Sequence, residues 1–406
     1  MRRILIVVIT LSTYSITIPV WACTTAIISG KYTPDGRPLL FKHRDTNFKQ
    51  NKLMYFKDGK YDYIGLINSG DSLGKEIWAG CNQTGFAIMN SQSYNLNIND
   101  TTRFKDNEGV IMKAALQSCA SIDDFEELLR TLPKPLGVES NFGVIDALGN
   151  AAYFETSNFN FIKIDANDPI AAPFGYLIRT NYSVSRKEQT GYGYIRYFTA
   201  DELFSRAAAV NNLTCRFLLQ DISRCLKHSL TKNDLIKEIP DNSLTAKFVF
   251  FRDYIPRYSS TSTVVVQGVK ANESPIFTTI WTILGFQLCS VAIPTWVAGG
   301  DNLPQILTSG KNGTAHLCDM ALILKKQCFP IQRGSGDTYL NLSALLNKEG
   351  TGILQMLMPL EIDILNETKE RMAYWREKGI DIREIQQYYR SLDEKVLDHY
   401  HNIFDL

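Results

Sequence analysis

The chain has 406 residues, 45% of them hydrophobic and 21% charged, with a formal net charge of +1. That is the make-up of a globular protein with a well-buried core, and it excludes a disordered polyelectrolyte or a broadly basic nucleic-acid binder. Five scattered histidines and eight cysteines, without a C-x-x-C or H-E-x-x-H pattern, give no reason to expect a metal or any other cofactor.

Residues 1–22 have the layout of an export signal. Arg2 and Arg3 form a basic start, positions 4–18 are mostly apolar, and Val20-x-Ala22 is a small-residue cleavage pattern. The apolar run is short for a spanning helix and contains Thr, Ser and Tyr. The expectation is therefore an exported protein, periplasmic or extracellular, without an integral membrane span. Cleavage after Ala22 would make Cys23 the first residue. A cysteine there carries its own general base, because a free α-amine titrates at about 7.7 to 8 and can take the thiol proton. Two other readings of Cys23 stand beside this one. It could be a lipid-modified cysteine, for which Val20-Trp21-Ala22-Cys23 is a partial match with a bulky Trp21, or an ordinary buried cysteine near a cleavage point.

Residues 24–29 (Thr-Thr-Ala-Ile-Ile-Ser) read as a short buried strand, 30–36 as a turn around Pro34, Asp35 and Gly36, and 38–41 as the returning strand of a hairpin. That strand runs into Lys42-His43-Arg44-Asp45, so the hairpin can bring these charges back beside Cys23. Taken alone, such a cluster reads as a solvated strand end. Further strands are expected over 53–56, 61–68, 77–79 and 85–89, followed by a polar patch at 90–95. Residues 108–119 and 121–131 carry helical spacing, the second behind Ser121-x-x-Asp124, a capping-box pattern with Asp in place of Glu.

Strands over 141–146, 151–155, 161–165 and 176–180 follow, the last delivering Asn181 at its end. Helices are predicted over 201–210, 214–228 and 232–239, and strands over 262–269 and 277–286. Beyond Pro304 the pattern weakens. The stretch 359–406 has helical spacing with Leu360, Ile364, Met372, Trp375, Ile385 and Tyr388 as buried positions, and is read as part of a tail over 346–406 packed on a domain over 23–345. The alternation of strand and helix blocks points to an α+β layered fold. The spacings Cys215 to Cys225 and Cys318 to Cys328 permit local disulfides in an oxidising compartment.

Taken together, four stretches resemble the N-terminal nucleophile cysteine hydrolases. They are Cys23-Thr24-Thr25, the run Thr33-x-Asp35-Gly36-Arg37-Pro38-Leu39-Leu40-Phe41-Lys42-His43-Arg44-Asp45-Thr46, Asn82-x-x-Gly85-Phe86-Ala87-Ile88-Met89-Asn90, and Arg179-Thr180-Asn181. The choloylglycine hydrolases, the penicillin V acylases and the acyl-coenzyme A:6-aminopenicillanic acid acyltransferase-like group are the nearest in pattern. The resemblance covers 23–95 best, extends through 141–300 and leaves out the tail. It implies an αββα sandwich, two antiparallel sheets between helical layers, and hydrolysis of a linear amide through an acyl-enzyme on Cys23, with acyl transfer as a related activity. It further implies that Asp45 orients the α-amine, that Asn181 donates to the oxyanion and that Asn90 lies near the second donor.

Where bile-salt hydrolases place an arginine three residues before the aspartate, this chain has Lys42, with Arg44 adjacent to Asp45, so either cation is a candidate partner of the thiol. Arg257 falls where the family often has a late arginine supporting the site; a surface arginine in a loop is the other reading. The partner implied is a small-molecule acyl amide, and bile-salt conjugates, phenoxyacetyl amides, fatty acyl amides and small peptides all fit. Trp78, Phe86, Tyr94, Phe142 and Tyr182 are candidates either for an apolar acyl pocket or for the core. A homo-oligomer is compatible with all of this. The competing class is a surface binding protein anchored by a lipid on Cys23, without catalysis.

Overall fold

The computed structural model describes residues 22–186, 190–308, 310 and 313–406; apart from Ala22, the expected export signal lies outside the described residues. Strand β1 (Ala22–Ile28) turns back antiparallel into β2 (Leu39–Asp45), with Ala22 opposite Asp45, Cys23 opposite Arg44 and Thr25 opposite Lys42. Both strands are buried along their whole length because they lie inside a six-stranded antiparallel sheet. Tyr176–Arg179 flanks β1, and Ser260–Gln267, Thr279–Leu284 and Ile293–Thr295 continue beyond β2. The charged run is therefore not a solvated strand end: Lys42, His43, Arg44 and Asp45 are each at most 3% exposed.

The second sheet is a seven-stranded antiparallel meander in sequence order, from Asn51–Phe56 to Phe161–Asp165. It stacks face to face on the first sheet, where Tyr153 donates to Thr25 Oγ1 at 2.9 Å and Lys42 reaches Asn90. Helices α1 (Glu108–Ser118) and α2 (Ile122–Thr131) cover its far side, and Phe125 of α2 packs against the rings of Phe86, Phe142 and Phe154. Ser121 and Asp124 form the reciprocal capping box expected of them.

Helices α3 (Tyr194–Ala209), α4 (His316–Cys328), α5 (Ile353–Lys378) and α6 (Ile382–Phe404) form the layer beyond the first sheet. There Trp296 packs edge-on against Trp375 and stacks on Tyr389, while Arg224 forms a buried ion pair with Glu361 of α5. Helix, sheet, sheet, helix is the αββα order. No described helix is long and apolar enough to cross a membrane.

Three local expectations differ from the structure. In place of a helix over 214–228 there is a π-helical turn at Phe217–Ile222, because Ser223 Oγ and Arg224 Nη1 both claim the Leu219 carbonyl that a continuing helix would use. The stretch 232–239 contains only a 3₁₀ turn at Leu235–Glu238, and a full helix, α4, forms beyond Pro304 where the pattern was weak. All eight cysteines are free thiols. Cys318 and Cys328 sit ten residues apart on α4, about 15 Å along a helix axis, so they cannot meet. Cys328 Sγ lies instead 3.5 Å from Cys289 Sγ.

Candidate active site

Side chains alternate across a strand, and directly opposed residues of an antiparallel pair point to the same face. The register therefore sends Cys23, Thr25, Lys42 and Arg44 between the two sheets, and Thr24, His43 and Asp45 toward α3. The thiol and the charges expected around it are thus divided between two sides of one strand pair.

On the thiol side, Cys23 lines a pocket of about 20 Å³ with Lys42, Arg44, Trp78, Asn90 and Glu108. Lys42 Nζ donates to the Trp78 carbonyl and to Asn90 Oδ1, each at 2.6 Å, while Asn90 Nδ2 donates to Ser140 Oγ at 3.1 Å. The Arg44 guanidinium lies over the Trp78 ring, 4.6 Å from its centroid, and donates to Asn51 Oδ1 at 2.6 Å. Burial pulls Lys42 down to about 7 and Arg44 down to about 10, against the attraction of the Cys23 sulfur. Both cations suggested by the sequence therefore attend the thiol, Arg44 directly opposite it and Lys42 one step along the same face.

On the nitrogen side, the Cys23 N–H donates to Asn181 Oδ1 at 3.0 Å. Arg196, from the first turn of α3, donates to the same oxygen at 2.8 Å through Nη2, and to Thr24 Oγ1 at 2.9 Å and the Cys23 carbonyl through Nη1. Asn181 Nδ2 is turned away, to the Gln92 carbonyl at 2.9 Å. What Asn181 presents to Cys23 is thus its oxygen. The segment is held by Arg179, whose Nε meets Glu155 at 2.6 Å, while Glu155 also takes the Val184 and Ser185 N–H groups. Arg196 is 1% exposed, and burial pulls it down to about 9. Gly193 makes room for it: φ there is +84°, and a Cβ would come within 2.3 Å of Arg196 Nη2.

Asp45, opposite Ala22, accepts from Ser260 Oγ at 2.6 Å and from Arg257 Nε and Nη2 at 2.9 and 2.8 Å. The late arginine is therefore a partner of Asp45, not a free surface cation. His43 is held down to about 4 by burial and so is neutral, between Ser260 Oγ at 2.9 Å and Thr263 Oγ1 at 3.2 Å. Cys23, Lys42, Arg44 and Asn90 come together around the thiol, Asn181 reaches the nitrogen, and Asp45 with Arg257 sits across the strand. Arg196, Ser260, Gln92 and Glu108 were not singled out from the sequence. Their links to Cys23 or Asp45 span the chain, and only Gly193, three residues before Arg196, gives a local hint.

The five aromatic residues do not form one acyl pocket. Phe86 and Phe142 are fully buried under α2, and Tyr182 packs on Tyr197. Trp78 is covered by Arg44, and Tyr94 lines a different cavity. Among the described residues no group of three His, Cys, Asp or Glu side chains is placed to hold a metal ion.

Glu108 opens α1 and is 5% exposed, with Oε1 accepting the Glu139 N–H at 3.2 Å. Burial pushes its carboxyl from 4.5 up to about 7. Between these values the folded chain keeps a proton that the unfolded chain has released, so this group costs stability as pH rises through the window. Glu108→Gln, neutral at every pH, is expected to exceed the wild type by about 3 kcal/mol at about pH 8 and to match it near pH 4. Denaturant titrations at the two pH values measure the difference; an equal gain at both would show that ionisation is not its cause.

No known family model matches this chain, and no curated protein matches it. Among solved structures, it is similar to a Caenorhabditis elegans ortholog of N-acylethanolamine-hydrolyzing acid amidase, at 12% identity over 60% of this chain and 92% of that one, with a TM-score of 0.37. It is also similar to penicillin V acylase from Agrobacterium tumefaciens, at 9% identity over 68% and 86%, with a TM-score of 0.39. A variant of conjugated bile acid hydrolase from Clostridium perfringens matches at 12% identity over 68% and 92%, with a TM-score of 0.36. Likeness at this level says nothing of substrate.

Proposed function

We propose that this chain is an exported amide hydrolase whose nucleophile is the Cys23 thiol, brought to the N-terminus by removal of residues 1–22. One observation carries the reading: the Cys23 nitrogen and thiol are separately provided for, the nitrogen by Asn181 and the thiol by Lys42, Arg44 and Asn90. An ordinary core cysteine needs neither. Once Ala22 is gone, the position opposite Asp45 is vacant, and the new α-amine keeps Asn181 Oδ1 as its acceptor.

In the reaction, the amine takes the thiol proton and the sulfur adds to the amide carbonyl. The resulting oxyanion is met by the remaining N–H of Asn90 and by the Lys42 ammonium, both in the wall of the thiol pocket. The protonated α-amine then passes its proton to the departing nitrogen as the C–N bond breaks, leaving a thioester on Cys23. Water, activated by the same amine, releases the acid; an amine in its place would give acyl transfer. The lipid-anchor reading is disfavoured because it gives no role to the buried Lys42 and Arg44 beside the Cys23 sulfur or to the Asn181 contact with its nitrogen.

The test is to quench turnover of a panel of acyl amides in acid and weigh the protein. An acyl mass on the peptide beginning at Cys23, absent from Cys23→Ala, is expected. An adduct elsewhere, or undiminished turnover by Cys23→Ala, would overturn the assignment.

A further inference from the structure

Arg196 reaches Cys23 from α3, and each of its contacts there is with an uncharged oxygen. Nη1 donates to the Cys23 carbonyl and to Thr24 Oγ1, and Nη2 to Asn181 Oδ1, while Nε has no hydrogen-bond partner among the described residues. Because a guanidinium is donor-only, it selects the oxygen of the Asn181 amide and leaves Nδ2 for the Gln92 carbonyl. The same oxygen accepts the Cys23 N–H, so no more than two hydrogen-bond lengths separate the guanidinium from that nitrogen. The other charges around the site are matched. Asp45 is held by Arg257 and Ser260, Asp253 has Arg252 and Glu155 has Arg179, while His43 is neutral. On the thiol side Lys42 and Arg44 share the pocket with Glu108 and the sulfur itself. Arg196 is the cation that shares an acceptor with the nitrogen.

Once that nitrogen is an amine, its protonated form has to share Asn181 Oδ1 with the guanidinium, two positive donors on one neutral oxygen. Cys23 is 8% exposed and Arg196 1%, so water screens the pair little. Loss of the amine proton relieves both the repulsion and the cost of burying the charge. We propose that Arg196 is a positioning residue that aims the Cys23 α-amine through Asn181 and keeps it unprotonated, so that the base is ready well below the pH at which an ordinary α-amine becomes one. The inference rests on the hydrolase reading above and explains how its base is kept free. At this separation one positive charge moves a neighbouring titration by about one to two pH units at an effective dielectric constant of about 20.

The test needs no turnover. The form beginning at Cys23, labelled with 15N-cysteine, has a single cysteine amine nitrogen, and its resonance is followed against pH. The wild-type midpoint is expected at least about one unit below the ordinary range of about 7.7 to 8. Arg196→Met should raise it by about one unit or more, and Arg196→Lys, which keeps the charge, should stay within about half a unit of the wild type. The acid limb of kcat/KM should move with the midpoint, whereas a residue that only supports the fold would lower kcat at every pH and leave the limb in place. A wild-type midpoint in the ordinary range, or one that Arg196→Met leaves unmoved, would overturn the role. Should Arg196→Met not fold, Arg196→Gln, which keeps a donor without the charge, is titrated in its place. If no amide is hydrolysed yet the midpoint is low and rises in the variant, the hydrolase reading falls and the hold of Arg196 on the amine stands. If amides are hydrolysed with an ordinary midpoint, only this inference falls.

Discussion

A form of this protein in which the bond between Ala22 and Cys23 cannot be cut is expected to hydrolyse no acyl amide, while the form beginning at Cys23 is active. In the uncut chain the Cys23 nitrogen is an amide whose lone pair is delocalised into the Ala22 carbonyl, so it cannot accept the thiol proton. Its single hydrogen is already committed to Asn181 Oδ1 at 3.0 Å. Cleavage converts this nitrogen into an amine, a group with an ordinary pKa of about 7.7 to 8, which keeps the bond to Asn181 and gains a lone pair. Loss of a general base alone costs on the order of 10² to 10⁴ in rate. Ala22, 3% exposed, also fills the position opposite Asp45 that cleavage would empty. The measurement compares amide turnover by the two forms, with both N-termini confirmed by mass. Equal turnover would show that the α-amine is not the base.

The second large effect is expected at Asn181, where two roles make opposite predictions for one substitution. Asn181→Ala removes the acceptor of the Cys23 nitrogen and strands Arg196 Nη2 and the Gln92 carbonyl. A base misplaced in this way should lower kcat by on the order of 10²-fold with little change in KM. Asn181→Asp keeps an oxygen where Cys23 and Arg196 need one and pairs it with the guanidinium. If Asn181 acts by holding the amine, the Asp variant should stay within about tenfold of the wild type. If it acts as an oxyanion donor through Nδ2, the Asp variant should be as impaired as the Ala variant. Steady-state kinetics of the two variants, with their Tm values as a check on folding, decide between the roles.

Much of the frame is legible in the linear chain because it is local. The hairpin over 24–41 is written in two short β-rich runs and the turn chemistry between them, the α2 cap in Ser121 and Asp124, and the buried face of the C-terminal helices in Leu360, Ile364, Trp375 and Tyr388, all buried in the fold. Where local pattern failed, a distant partner intervened. Arg224 took the carbonyl that would have continued a helix from Phe217, and it is anchored by Glu361, 137 residues away.

The sequence by itself determined which chemistry was available: a thiol at an expected cleavage point, a run of charges returning toward it, and an asparagine at the end of a later strand. Only the tertiary structure decided how these are used, because strand register, not spacing, sets the face each side chain occupies. It put Lys42 and Arg44 on the thiol side and Asp45 on the other, turned the Asn181 oxygen rather than its N–H to Cys23, and brought in Arg196 across 173 residues. It also sent Phe86 and Phe142 into the core and left carboxylates around the cavity beside the thiol. Aromatic content is read equally well as core or pocket until packing assigns it.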